Sequence, residues 1–237
     1  MKKHFFIIAL LFAGLSSNAQ VQFLKSVSYR GAFAPSPTAM WTSGWANWDP
    51  QTTAYGNTTV TVSSDITTNT TWTKNNVYKL SGLIYIDSLV TLTIEPGTII
   101  RGDSTVGNSS LIVRRGAKLN AIGTVAEPIV FTSQKSAGNR APGNWGGIII
   151  LGKATYNGSG AFGGAGTGNI EGITASIKTT YGGSTSPDDN DNSGTLKYVR
   201  IEFGGFQLAT NQEINGLTMG GVGRGTTIDY VQCSFIN

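Results

Sequence analysis

From Val77 onward, short apolar runs alternate with glycine turns, and the runs return at near-constant spacing. Leu92-Thr-Ile94-Glu-Pro-Gly97 is matched by Leu111-Ile-Val113-Arg-Arg-Gly116 at an offset of 19. The apolar pairs Ile129/Phe131 and Ile148/Ile150 continue the series at offsets of 18 and 19. A second repeat sets Thr195-Leu-Lys-Tyr198-Val199-Arg-Ile201-Glu-Phe203 over Thr227-Ile-Asp-Tyr230-Val231-Gln-Cys233-Ser-Phe235 at an offset of 32, with a further strand at Ile214–Met219 between them. Apolar residues at every second position describe strands with one buried side. One such coil cannot bury its apolar side alone, but stacked coils share a continuous core, so the pattern predicts an all-β solenoid. A β-sandwich also contains many short strands, but it does not require the same residues at one offset. Gly97, Gly116 and Gly152 fall at turns that need positive φ or close approach of the next coil.

The remaining segments lack this rhythm. Residues 1–19 pair a basic start, Lys2-Lys3-His4, with an apolar run from Phe5 to Leu15 and small residues up to Ala19, the pattern of a cleaved export signal. Cleavage near Ala19 predicts a secreted or cell-surface protein. Residues 20–76 are polar and irregular and hold Trp41, Trp45 and Trp48, so they predict a cap over the first coil, with coils filling 77–237. Residues 153–192 are rich in Gly, Ser and Asn and predict a long loop inserted between coils, of the kind that carries function.

Composition narrows the chemistry. Charged residues make up 13% of the 237-residue chain and Gly accounts for 32 positions, against about 25% and ~7% in an average globular domain. The formal charge of +4 falls to +2 once Lys2 and Lys3 are set aside, and the densest basic spot is Arg114-Arg115. That gives no footprint for nucleic acid. No segment after the leader approaches the ~18 apolar residues of a membrane span. The single cysteine, Cys233, excludes an internal disulfide, and the single histidine, His4, lies in the leader. Without histidine, Ser-His-Asp triads and His/Cys zinc sites are both excluded from the mature chain.

An ordered series of motifs carries a resemblance. It runs through Leu92-Thr-Ile-Glu-Pro-Gly-Thr98, Gly116-Ala-Lys-Leu-Asn-Ala121-Ile-Gly-Thr124, Pro128-Ile-Val-Phe-Thr-Ser133, Asn144-Trp-Gly-Gly147, Ile170-Glu-Gly172, Asp191-Asn-Ser-Gly194, Tyr198-Val-Arg-Ile-Glu202 and Glu213-Ile-Asn-Gly-Leu-Thr218. Over residues 77–237 the chain resembles secreted proteins of Bacteroidetes-type bacteria with no established activity. These look like right-handed parallel β-helices of the pectin-lyase-like architecture. The resemblance implies further coils, often closed by a C-terminal sorting domain. The strand that reaches almost to Asn237 is therefore expected to belong to a longer protein.

Two groups of residues invite a chemical role. From Asp189 the chain reads D-x-D-x-S-G, placing Asp189, Asp191 and Ser193 like the opening of a Ca²⁺ loop, with Asp188 and Glu202 as further oxygen donors. Arg200 stands at the twelfth position and cannot close such a loop, so this is not an EF-hand; an acidic turn leading into the next strand is the alternative. Trp41, Trp45 and Trp48 are candidates for stacking on sugar rings, or for the cap itself. The reading that fits is a secreted, non-catalytic module that binds glycans or another surface polymer. A Ca²⁺-dependent polysaccharide lyase or glycoside hydrolase built on paired carboxylates is one alternative. A structural scaffold for a larger surface protein is the other.

Overall fold

The computed structural model describes residues 33–35, 38–106, 108–210 and 212–237, so the leader lies outside the described residues. Phe33–Trp41 belongs to one compact unit, in which the rings of Phe33 and Trp41 stack at 6.2 Å; all that follows concerns the second unit, Thr42–Asn237. Among the described residues no helix is long and apolar enough to cross a membrane.

The chain enters the coils with β1 (Val60–Val62), β2 (Thr70–Trp72) and β3 (Val77–Leu80). The next coil holds β4 (Leu83–Ile86), β5 (Thr91–Ile94) and β6 (Ile99–Gly102), and the one after it β7 (Ser110–Val113), β8 (Lys118–Ile122) and β9 (Ile129–Ser133). After β10 (Gly147–Leu151) comes an excursion with β11 (Ser159–Gly160), β12 (Gly164–Ala165), β13 (Gly168–Asn169) and β14 (Thr180–Tyr181). The coil resumes as β15 (Gly194–Glu202), followed by the hairpin β16 (Gln207–Ala209) and β17 (Gln212–Glu213). The last coil is β18 (Leu217–Gly220) and β19 (Thr227–Ser234).

All coil-to-coil pairing is parallel, and it forms three faces. Face 1 stacks β4, β7, β10 and β18. Face 2 stacks β2, β5, β8 and the first halves of β15 and β19. Face 3 stacks β1, β3, β6, β9 and the second halves of β15 and β19. Alternation sends one row inward at each level: Ile84, Leu111 and Ile148 on face 1, Leu92 and Leu119 on face 2, Ile100, Phe131 and Ile201 on face 3, all buried in one core. At about 2 kcal/mol for each fully buried aliphatic side chain, these rows are what holds the coils together.

The offset of 32 is the true coil register, since Thr195 pairs with Thr227 and Val199 with Val231. The offset of 19 is not. Leu92, Leu111, Ile129 and Ile148 lie on faces 2, 1, 3 and 1, whereas Leu92 stacks on Leu119 and Leu111 on Ile148. The coils differ in length at their turns while the strands stay in register, so the spacing of 19 links strands of different faces. Gly97 and Gly116 do take positive φ, at 79° and 80°. Gly152 is fixed by close approach: a Cβ there would stand 2.3 Å from the Gly221 carbonyl oxygen.

In β15 and β19 a single residue makes the corner between faces 2 and 3. Tyr198 and Tyr230 occupy the left-handed region at φ 50° and 52°, and their rings stack at 4.6 Å. Phe203 and Phe235 repeat the device at the next corner, with φ 60° and 53° and ring centroids 5.3 Å apart. Non-glycine residues in this region are uncommon; here the stack of identical rings on successive coils holds them.

The three outer surfaces differ. On face 1 the outward residues Ile112, Ile149 and Leu151 are buried in a second core with Ile170 and Ile214, joined by Ile173, Tyr181 and Leu208. The excursion folds back onto face 1, which is why SLIV and GIIIL are buried at every position. On face 2 the outward row Thr71, Thr93, Asn120, Thr195 and Thr227 meets solvent. Face 3 is crossed by residues 42–57.

Candidate functional site

Of the two outward rows of face 3 one is polar, and the other begins apolar with Val77, Ile99 and Val130 and turns polar on the last two coils. The polar row runs through Lys79, Arg101 and Thr132 and continues at Glu202 and Ser234; the other carries Arg200 and Gln232. Residues 42–57 lie over them as a strap. Trp45 anchors one end, 1% exposed, with its ring edge-on to Tyr198 at 5.8 Å and to Tyr230 at 6.1 Å. Asn47 and Gln232 bond reciprocally: the Asn47 amide N–H donates to Gln232 Oε1 at 2.9 Å, and Gln232 Nε2 donates to the Asn47 carbonyl at 2.9 Å. At the other end Arg101 Nη1 donates to the Gly56 carbonyl at 2.7 Å, and Arg140 Nη1 donates to the carbonyls of Pro50 at 2.6 Å and Thr53 at 2.9 Å.

Glu202 sits beneath the strap with no exposed surface. Its Oε1 accepts the Tyr55 hydroxyl at 2.8 Å and pairs with Arg200 Nε at 3.4 Å. Arg200 Nη2 donates in turn to the Tyr55 oxygen at 3.4 Å. Burial pushes the Glu202 carboxyl above its ordinary range, opposed by the Tyr55 hydrogen bond and the Arg200 charge. Burial and the Glu202 charge push the Tyr55 phenol up to about 12. Glu202 Oε2, Arg200 Nε, Thr132 Oγ1 and Ser234 Oγ are buried and make no well-formed hydrogen bond among the described residues, although the Thr132 hydroxyl is close enough to the carboxylate to lower its pKa. Trp145, fully buried, donates Nε1 to the Glu202 carbonyl at 2.8 Å and stacks on Phe131. Gly102 makes room for it, since a Cβ there would stand 2.4 Å from Trp145.

Beside Tyr55 opens a groove of about 410 Å³ lined by Tyr55, Asn57, Arg101, Gln134, Ser136 and Arg140 among others, with no carboxylate in its lining. Both guanidiniums are more than nine-tenths buried, and neither forms an ion pair among the described residues. Arg101 bonds the carbonyls of Ser133, Gln134 and Lys135 as well as Gly56. Arg140 lies over the Tyr55 ring at 4.8 Å and gives Nε to the Lys135 carbonyl, so its Nη2 donates to none of these groups. Burial lowers the pKa of both arginines, and the charge of Arg140 lowers that of Arg101 further.

The residues singled out from sequence lie apart from this groove or are covered. Asp188, Asp189, Asp191 and Ser193 form the turn before β15, whereas Glu202 ends that strand, so Glu202 does not join them. Asp189 Oδ1 accepts the Thr155 amide at 2.8 Å, Asp191 Oδ2 the Lys153 amide at 2.9 Å, and Asp188 Oδ1 the Asn190 amide at 2.9 Å. Among the described residues no three His, Cys, Asp or Glu side chains converge on a metal position. Trp48 is 64% exposed whereas Trp45 is packed into the strap's anchor, and Trp41, 48% exposed, belongs to the other compact unit. Tyr55, Arg101 and Arg140 carried no signal in sequence: Tyr55 and Arg140 stand alone in irregular stretches, Arg101 follows two isoleucines in β6, and only the register of face 3 and the strap's crossing bring them together.

The architecture defines a three-faced parallel β-helix with a polar groove on one outer face. The family model described as the pectate-lyase-like β-helix domain matches residues 64–235, and the chain belongs to that family. No curated protein and no solved structure matches it significantly.

Proposed function

We propose that this chain is a β-helix module of the cell exterior that binds an acidic polysaccharide in the groove on face 3 without cutting it. The observation that carries this reading is the pair of buried guanidiniums, Arg101 and Arg140, lining one groove that contains no carboxylate. Two guanidiniums without an ion pair among the described residues, in one pocket, favour an anionic guest, and a guanidinium suits a carboxylate oxygen. The family's carbohydrate connection supports a glycan as that guest. The absence of a carboxylate from the groove lining supports binding over turnover, because an acid or base must reach the bond it cleaves.

The test is calorimetric titration of the purified chain with oligogalacturonate and, in parallel, with a neutral oligosaccharide of equal length. Binding of the acidic chain that weakens steeply with salt, and about tenfold or more in Arg140→Lys, is the expected result. Equal or absent binding of the two chains overturns the reading. Release of unsaturated products, followed by ultraviolet absorbance, replaces it with a lyase.

A further inference from the structure

The strap places one hydroxyl in a slot built for more than one. The Tyr55 oxygen donates to Glu202 Oε1 at 2.8 Å and accepts from Arg200 Nη2 at 3.4 Å. A sugar hydroxyl between a carboxylate and a guanidinium makes the same two bonds. Beside it four more polar atoms are buried and make no well-formed hydrogen bond among the described residues: Glu202 Oε2, an acceptor, Arg200 Nε, a donor held only by its ion pair with Glu202 Oε1 at 3.4 Å, and the hydroxyls of Thr132 and Ser234, which can be either. Glu202 and Thr132 have no exposed surface. Buried polar atoms are nearly always paired, so four orphans on neighbouring coils mark a surface whose hydrogen-bonding capacity the strap only partly matches.

We propose that this strip is a second saccharide subsite, selective for neutral vicinal hydroxyls, and that residues 42–57 are its intramolecular ligand, displaced when a glycan chain binds. One sugar hydroxyl takes the place of the Tyr55 phenol, and its neighbour donates to Glu202 Oε2 and accepts from Arg200 Nε. A carboxylate guest is excluded here by the charge of Glu202, which distinguishes the strip from the adjoining arginine groove. The strap is suited to leaving: its bonds to face 3 beyond Trp45 are polar ones, through Asn47, Pro50, Thr53, Tyr55 and Gly56, and water can replace them. The inference deepens the proposed function and rests on its reading of face 3 as a glycan surface. Ala54, Tyr55, Gly56 and Asn57 of the strap also wall the arginine groove, so a neutral glycan on the strip competes with an acidic one in the groove.

The test uses the full chain and cellohexaose as the neutral probe. Asn47→Ala/Tyr55→Phe loosens the strap and removes its hydroxyl, so affinity for cellohexaose is expected to rise about tenfold over wild type, and adding Glu202→Gln is expected to erase the gain. A double variant that binds no better than wild type, including no binding by either, overturns the proposal. If the double variant does not fold, hydrogen exchange on wild type decides instead: saturating cellohexaose must increase deuterium uptake in peptides covering 42–57, and unchanged or decreased uptake overturns it. Oligogalacturonate titrated against wild type is the separate arm. Its failure removes the acidic-groove reading and leaves the neutral-probe result standing on its own.

Discussion

Strand β15 carries carboxylates at both ends, and the two ends do opposite things with them. At its start Asp188 and Asp189 are exposed, and together with Asp191 they hold backbone amides with side-chain oxygens: Asp188 that of Asn190 in the turn itself, Asp189 and Asp191 those of Thr155 and Lys153 just after β10. At its end Glu202 is fully buried, held by Tyr55 and Arg200, with one oxygen left without a partner. The first cluster is dense in sequence and commits its oxygens to backbone amides, one in its own turn and two in the segment leaving β10, which ties that segment to the turn. The second is a single glutamate in sequence and becomes a site only through partners such as Tyr55, 147 positions away. Density of acidic residues is thus a poor guide to chemistry here. Isolation of one charged residue in an outward row of a covered face is a better one.

The sharpest way to break the comparison is to remove the strap's anchor. Trp45→Ala deletes a buried indole packed against Tyr198 and Tyr230, and a buried Trp→Ala change costs about 4 kcal/mol. If the strap is integral to the cooperative fold, urea denaturation will show that whole loss. If it is a separable cover, global stability will fall by much less, while Trp48 emission and hydrogen exchange in 42–57 report a released segment. The second outcome is expected, because the core rows of the coils do not include Trp45.

How much of this was legible in the sequence follows from where each contact is made. The Tyr198/Tyr230 and Phe203/Phe235 corners could be read directly, because coils that stack in register must repeat the same side chain at the same corner. The spacing of 19 misled because turns vary in length while strands do not, so periodicity alone cannot say which face a strand joins. The runs at Ser110–Val113 and Gly147–Leu151 do announce burial on both sides, and that was the available clue that something covers face 1. Nothing local announced the strap. Apart from Trp45, Trp48 and Tyr55 its residues are small or polar and of no fixed pattern, and the cover exists because distant arginines bond its carbonyls.

A smaller effect separates the two ends by pH. The Glu202 carboxyl is raised by burial, so the folded chain keeps its proton to higher pH than the unfolded chain, whose glutamate titrates near 4.5. The folded state binds more protons in that window, and stability contributed by this group is lost as pH rises from about 4.5 through the folded value. Comparing urea midpoints of wild type and Glu202→Gln across pH isolates the term, since the other carboxylates cancel in the difference. Wild type is expected to lose stability relative to Glu202→Gln as pH rises from 4.5 to 7. A flat difference would mean that Tyr55 and Arg200 fully offset the burial.

The smallest expected effect belongs to the acidic turn, and it concerns calcium. A Ca²⁺ site requires six to eight oxygens turned toward one point. In the turn, Asp189 Oδ1 and Asp191 Oδ2 face the amides of Thr155 and Lys153, Asn192 Oδ1 accepts the Gly194 amide at 2.8 Å, and Arg224 brings a guanidinium to 3.9 Å from Asp189 Oδ2. Binding a cation here would break those caps and oppose the arginine. Thermal unfolding in EDTA and in about 5 mM Ca²⁺, above the ~10⁻³ M of weak extracellular sites, is therefore expected to give the same midpoint. Asp191→Ala, by contrast, frees the Lys153 amide and costs about 1 kcal/mol with or without the ion. A Ca²⁺-dependent rise in the midpoint that disappears in Asp191→Ala would show that the turn rearranges to hold the metal. It would also restore to the start of β15 the chemical role that the geometry assigns to its end.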